Sequence, residues 1–119
     1  MNEGVCPVMT TPCRTPDPPY YAVIFASVRS DTDAGYAEAN ARMMELAQGM
    51  DGFLGVDSAP GAVGLTVSYW RDLAAIAKWR DHGEHRAVQN RGRSDWYRCY
   101  TLRIARVEQQ RTFTGRDDP

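Results

Sequence analysis

The run YYAVIFASVR, residues 20 to 29, constrains the fold more than any other stretch of the chain. It is rich in β-branched and aromatic residues, as a pleated strand requires, and it is apolar at odd and even positions alike. A strand of this kind needs cover on both of its faces. The rest of the chain therefore has to supply one covering layer, and something further has to supply the other.

The first layer is legible downstream. After SDTDAG, whose short polar side chains suit a helix start, Tyr36, Ala39, Met43, Leu46 and Met50 recur at helical spacing and predict a helix ending near Gln48 or Gly49. DGFLGVDSA and VGLTVSYWR then read as two strands joined by a turn, with Pro60 fixing the first turn dihedral and Gly61 tolerating the second. Asp72 is placed to cap a second helix carrying Leu73, Ile76, Ala77 and Trp79. That helix breaks near Gly83, resumes through His85, Val88 and Gln89, and is expected to stop at Gly92. DWYRCYTLRIARV alternates as a last, half-buried strand.

Strand, helix, strand, strand, helix, strand is the split β-α-β order of an α+β, ferredoxin-like domain, with an antiparallel sheet and its helices on one face. The other face is left bare although its strand residues are apolar. A homodimer closing sheet against sheet is the simplest cover.

At 119 residues the chain is sized for one such domain, taken as residues 19–108. Five of its 7 prolines fall within the first 19 residues, so 1–18 reads as a tail outside the core, either mobile or packed on a partner subunit. Residues 109–119 read as a frayed end. Fourteen basic against 15 acidic residues give no field that would gather nucleic acid. RGRSDWYRCY interleaves arginine with aromatics, but the RNA-recognition strand signature is missing. Three cysteines, two of them in the tail, argue against a disulfide framework, and Cys6 and Cys13 are too far apart for a zinc pair. No segment has membrane-spanning length and no leader pattern opens the chain, so a soluble cytoplasmic protein is expected.

GFLG after the first helix, TVSYW on the third strand, the tryptophan and histidine of the second helical region and WY opening the last strand together resemble the antibiotic biosynthesis monooxygenase superfamily. The resemblance covers roughly residues 20 to 107 and implies a dimeric α+β barrel with a pocket between sheet and helices in each subunit. Its members include cofactor-free oxygenases that convert polycyclic phenols to quinones, haem-degrading enzymes, and proteins without a known substrate.

Both histidines lie in WRDHGEH, residues 79 to 85. In the haem-degrading branch the axial histidine position would fall on Gln89, a poor haem ligand, and the first strand offers no asparagine for the distal side. Haem is therefore disfavoured. His82 and His85 with Glu84 make an incomplete zinc set, since Glu84 points about a quarter-turn from His85, and no metal site is expected. A cofactor-free oxygenase asks for less: aromatic walls, a group that assists deprotonation of a phenol or hydroquinone, and exclusion of water. Phe25, Trp70, Trp79, Trp96 and Tyr100 are the candidate walls, and Ser27 and Gln89 the polar points. His85 is the candidate acid or base, with His82 weaker because it sits at the helix break. Trp70 and Trp79 are more often core aromatics than substrate stackers, the tyrosines of the outer strands serve equally well at a dimer interface, and a non-catalytic ligand-binding or structural dimer is the competing expectation. Arg86, Arg91, Arg93 and Arg98 form a local basic cluster; solvation and the helix dipole account for the first three without a ligand, and an anionic substrate group is compatible with the cluster but not demanded by it.

Overall fold

A computed structural model describes residues 11–115. The expected order is present: β1 (Tyr20–Arg29), α1 (Tyr36–Gln48), β2 (Phe53–Ala59), β3 (Gly64–Trp70), α2 (Leu73–Asp81), α3 (Gly83–Arg91), a π-helical turn (Gly92–Trp96) and β4 (Tyr97–Val107). The four strands form one sheet in the order β2-β3-β1-β4, with every neighbouring pair antiparallel. This is the ferredoxin-like α+β arrangement, with β1 between β3 and β4 in mid-sheet.

Register decides which side chains share a face. Tyr21, Val23, Phe25, Ser27 and Arg29 point to one side, together with Trp70, Ser68 and Thr66 of β3 and Ile104, Leu102 and Tyr100 of β4. The helices cover this side: Trp70, Ala75 and Ile76 form the buried nucleus, with Tyr21, Val23, Met50, Phe53 and Trp79 packed against it. The opposite side carries Ala22, Ile24, Ala26 and Val28 beside Tyr69, Val67 and Leu65, and no helix lies on it. Leu65 is 44% exposed there.

Residues 11–19 lie over one end of that second side. The Cys13 amide donates to Asp57 Oδ1 at 2.7 Å, and the Tyr69 hydroxyl donates to Asp57 Oδ2 at 2.8 Å. Gly55 permits the approach, because a Cβ built there would run into Cys13 Sγ and its φ of 150° suits glycine. Thr15 bonds both Tyr20 and Gln110, at 2.9 and 3.0 Å, and Tyr20 also bonds Gln110. Expected to be free or packed on another subunit, this part of the tail is strapped to its own sheet, and Gln110 of the expected frayed end is one of the anchors. Cys6 lies outside the described residues.

Two other local expectations are revised. α1 has no side-chain cap: Gly35 occupies the cap position at φ 79°, because the Asp33 carboxylate is held by Arg29 at 2.7 Å. Gly92 does not turn the chain out of the helix. It keeps a helical backbone (φ −59°, ψ −46°), and the path runs on through the π turn, so β4 begins at Tyr97. A Cβ at Gly92 would lie 3.1 Å from the Tyr97 ring, so this glycine serves close packing. The Asp72 cap holds as expected, its Oδ1 accepting from the Ala75 amide at 2.8 Å.

Candidate functional site

Trp79 stands at the end of α2, where a helix leaves carbonyls without intrahelical partners. Its carbonyl accepts from the His82 amide at 3.2 Å and from His85 Nδ1 at 2.9 Å. A carbonyl only accepts, so Nδ1 of His85 carries the proton and the lone pair is on Nε2. The imidazole stacks on the Trp79 ring at 4.2 Å and 19°. Burial pushes its pKa below the ordinary histidine value, the Trp79 carbonyl opposes that shift, and the nearby His82 adds to it. His85 is thus a neutral, oriented imidazole with its basic nitrogen free of any hydrogen bond to the described residues.

His82 does different work. Extended at ψ 131°, it ends α2 and caps α3, its Nδ1 accepting from the Glu84 amide at 3.2 Å. The two histidines therefore hold opposite tautomers. Glu84 turns away from both to Arg42 of α1, whose guanidinium reaches its two oxygens at 3.0 and 3.1 Å and holds the carboxyl below its usual range. Among the described residues no three His, Cys, Asp or Glu side chains converge on a point where a metal could sit.

Behind His85 the rings continue inward. Trp79 stacks on Trp70 at 6.0 Å, and Trp70 meets Phe53 edge-on at 5.2 Å. Trp70 is fully buried, with Nε1 donating to Ser68 Oγ at 2.9 Å, so it backs Trp79 and presents no surface of its own. Trp96 is also buried: Nε1 donates to the Ala34 carbonyl at 2.9 Å, Tyr36 meets its ring edge-on, and the Arg91 guanidinium lies 5.0 Å from its centroid.

A second ring group occupies the far end of the same face. Phe25 touches Tyr100 at 4.9 Å and Tyr97 at 5.3 Å, and Tyr97 reaches Tyr36, hydroxyl to hydroxyl, at 3.4 Å. Burial and the Tyr36 hydroxyl raise the Tyr97 pKa, so this phenol stays protonated. Arg29 lies 3.4 Å over the Tyr36 ring. Sequence reading pointed to Tyr100 and passed over Tyr97, because residues three apart on a regular strand face opposite ways. The register shift opposite Val28 and Arg29 skips Arg98 and puts both tyrosines on one side.

Ser27 sits across from Tyr100 and is 8% exposed. Among the described residues its hydroxyl makes no hydrogen bond, and its neighbour on the other flank is Gly64, which has no side chain to cover it. A buried hydroxyl without a partner costs free energy and marks a place where a ligand group or water belongs.

The structure thus divides the sequence-derived set. Phe25, Ser27 and Tyr100 come together at one end of β1, and Trp70, Trp79 and His85 at the other. Phe25 lies four residues from Tyr21, the partner of Trp70, about 13 Å along an extended chain. α3 spans a similar distance, its nine residues carrying the chain from Gly83 to the π turn. Gln89 belongs to neither ring group. It lines a cleft of about 260 Å³ with Arg80, Asp81, Arg86, Asn90 and Arg93.

A profile described as antibiotic biosynthesis monooxygenase matches residues 19–91, well over half of the chain. The chain belongs to this family. YqjZ of Bacillus subtilis, an uncharacterized protein, is 53% identical over 102 residues, which span 84% of this chain and 90% of that protein. Among solved structures, Rv0793 from Mycobacterium tuberculosis superposes with a TM-score of 0.68 at 13% identity, covering 78% of this chain and 99% of its own. SnoaB, a cofactor-independent oxygenase from Streptomyces nogalater, superposes with a TM-score of 0.66 at 10% identity, covering 76% and 95%. At such identities these two likenesses speak for the fold. Both ring groups lie on the helix-covered side of the sheet, and the strap lies on the opposite side.

Proposed function

We propose that the protein is a cofactor-free oxygenase acting on a phenol or hydroquinone-type aromatic, with His85 Nε2 as the base. The observation that carries this reading is the His85 tautomer: a half-buried imidazole, neutral near pH 7, with its proton committed to the Trp79 carbonyl and its lone pair unspent. The phenolic proton passes to Nε2, and the phenolate gives electrons to dioxygen. A C–O bond forms at the ring carbon para to the phenolic oxygen, that carbon loses its hydrogen, and cleavage of the O–O bond releases the second oxygen as water. Phenol plus dioxygen becomes quinone plus water. Trp79 holds the imidazole plane, and only a substrate long enough to span the roughly 13 Å between the two ring groups would also meet Phe25, Tyr100 and Ser27. SnoaB, a cofactor-independent oxygenase of the same fold, supports the class of reaction.

The same reading includes a homodimer, with a second copy covering Ile24, Ala26, Val28, Val67 and Leu65. A competing reading, a ligand-binding dimer without turnover, is favoured by the spacing of the two ring groups, since the Ser27 hydroxyl, without a partner among the described residues, is remote from His85. Oxygen uptake with hydroxylated polycyclic aromatics separates the two. Turnover that drops by about 10²-fold or more in His85→Gln supports the oxygenase. Turnover left intact by His85→Gln removes His85 from the chemistry, and saturable binding with no oxygen uptake establishes the ligand-binding reading.

A further inference from the structure

Arg86, Gln89, Asn90 and Arg93 recur at helical spacing along α3 and the start of the π turn, and Arg80 and Asp81 close the other wall of the 260 Å³ cleft. Three guanidiniums face one carboxylate there. Asp81 takes up Arg80 at 3.3 Å and lies 3.9 Å from Arg86, at the long end of ion pairing. Arg93 has no carboxylate partner among the described residues. It donates to two neutral acceptors, Asn90 Oδ1 and the Tyr100 hydroxyl, the latter at 3.3 Å. The contrast is with Arg29, Arg42, Arg71, Arg91, Arg98 and Arg106, each of which has an acidic partner. The cleft thus sets three arginines against one aspartate.

The cleft is also joined to the ring group. The Tyr100 hydroxyl that meets Arg93 belongs to the ring lying against Phe25 at 4.9 Å, and Ser27 is the cross-strand partner of Tyr100. An acid held by Arg93 would lie beside the Tyr100 hydroxyl, at the edge of that ring group. We propose that this cleft binds the carboxylate of an aromatic hydroxy acid, so that the preferred substrate is anionic; the proposal rests on the oxygenase reading only for the fate of the ring, and its binding part stands without turnover. Guanidinium forks fit a planar carboxylate with two parallel bonds, and the Gln89 side chain adds a neutral amide beside them. Asp81 on the wall opposes a doubly charged phosphate more than a single carboxylate.

Two probes test this: 1-hydroxy-2-naphthoate, and 1-naphthol, which lacks only the carboxylate. Their dissociation constants are measured by titration calorimetry at low and moderate salt, with oxygen uptake recorded separately. The hydroxynaphthoate is expected to bind about tenfold or more tightly, with the advantage shrinking as salt rises. In the Arg86→Gln, Arg93→Gln double variant that advantage is expected to disappear while 1-naphthol affinity holds. Arg86 is 65% exposed at its side chain, so Arg86→Gln alone keeps the test open should the double variant fold poorly. Equal affinities for the two probes, or a preference that survives both substitutions, overturns the proposal. Displacement of the hydroxynaphthoate by an equal concentration of inorganic phosphate overturns the choice of carboxylate. A carboxylate preference without oxygen uptake sinks the oxygenase reading alone, and uptake without that preference sinks this one alone.

Discussion

The two faces of the sheet are held by different physics although β1 serves both. On the helix-covered face, volume dominates: Phe53, Trp70 and Trp79 stack from the core outward and end at His85. On the other face β1 contributes small and branched residues, Ala22, Ile24, Ala26 and Val28, and its only cover from the described chain is a strap tied by a carboxylate, two phenols and an amide. One face is covered by its own helices around Trp70, while Leu102 and Ile104 on its β4 edge stay exposed. The other is half covered by a hydrogen-bonded strap, and an apolar remainder that includes Leu65 stays exposed.

That contrast is broken most directly in the core. Trp70→Ala removes the one fully buried large side chain among the described residues and the support behind Trp79, so it is expected to cost about 3–5 kcal/mol, read as a lowered denaturant midpoint. On the strapped face Asp57→Ala leaves the Cys13 amide and the Tyr69 hydroxyl without their shared acceptor, for about 1–3 kcal/mol. The sharper readout there is local. Hydrogen exchange at the Cys13 amide should accelerate far more than exchange in β1, and equal acceleration in both would mean that the strap is part of the global fold. Gly55→Ala should lift the strap by steric contact with Cys13 and leave the rings of the other face unchanged.

The uncovered remainder makes its own prediction. Ala26→Glu places a charge amid Ile24, Val28, Leu65 and Val67, where the partner of a sheet-to-sheet dimer would lie. Light scattering should report a dimer for the unaltered chain and a monomer for the variant. A stable monomer for the unaltered chain at micromolar concentration would remove the reason for treating this face as an interface.

The division between the faces was legible in the sequence because β1 is apolar at both parities, and the element order followed from local signals: Asp72 capping α2, Pro60 and Gly61 in the hairpin turn, the break at Gly83. Long-range competition was not legible. Asp33 is drawn off to Arg29, leaving Gly35 to start α1, and Cys13 meets Asp57 across 44 residues. The site was read in fragments for the same reason. His85 and its Trp79 neighbour share one helical region and were found together. Tyr97 was missed because only the skipped Arg98 returns it to the face of Tyr100, and the arginine cluster read along the chain is split in space, with Arg91 and Arg98 paired to Asp95 and Asp31 while Arg86 and Arg93 face the cleft.

The smallest expected effect concerns the outer end of the aromatic series and separates the two histidines. Burial lowers the folded-state pKa of His85, so the unfolded chain takes up the proton first as pH falls. The contribution is complete above the unfolded value of about 6.5 and is lost progressively as pH drops from there through the folded pKa. Stability should therefore rise with pH across that window, and His85→Phe, which keeps a ring against Trp79, should flatten the slope there. In His82→Asn, which retains a capping side chain for the Glu84 amide, the His85 contribution to the slope should persist. If the slope survives His85→Phe, the imidazole that should titrate is not the one stacked on Trp79, and the base assigned to the helix-covered face loses its physical support.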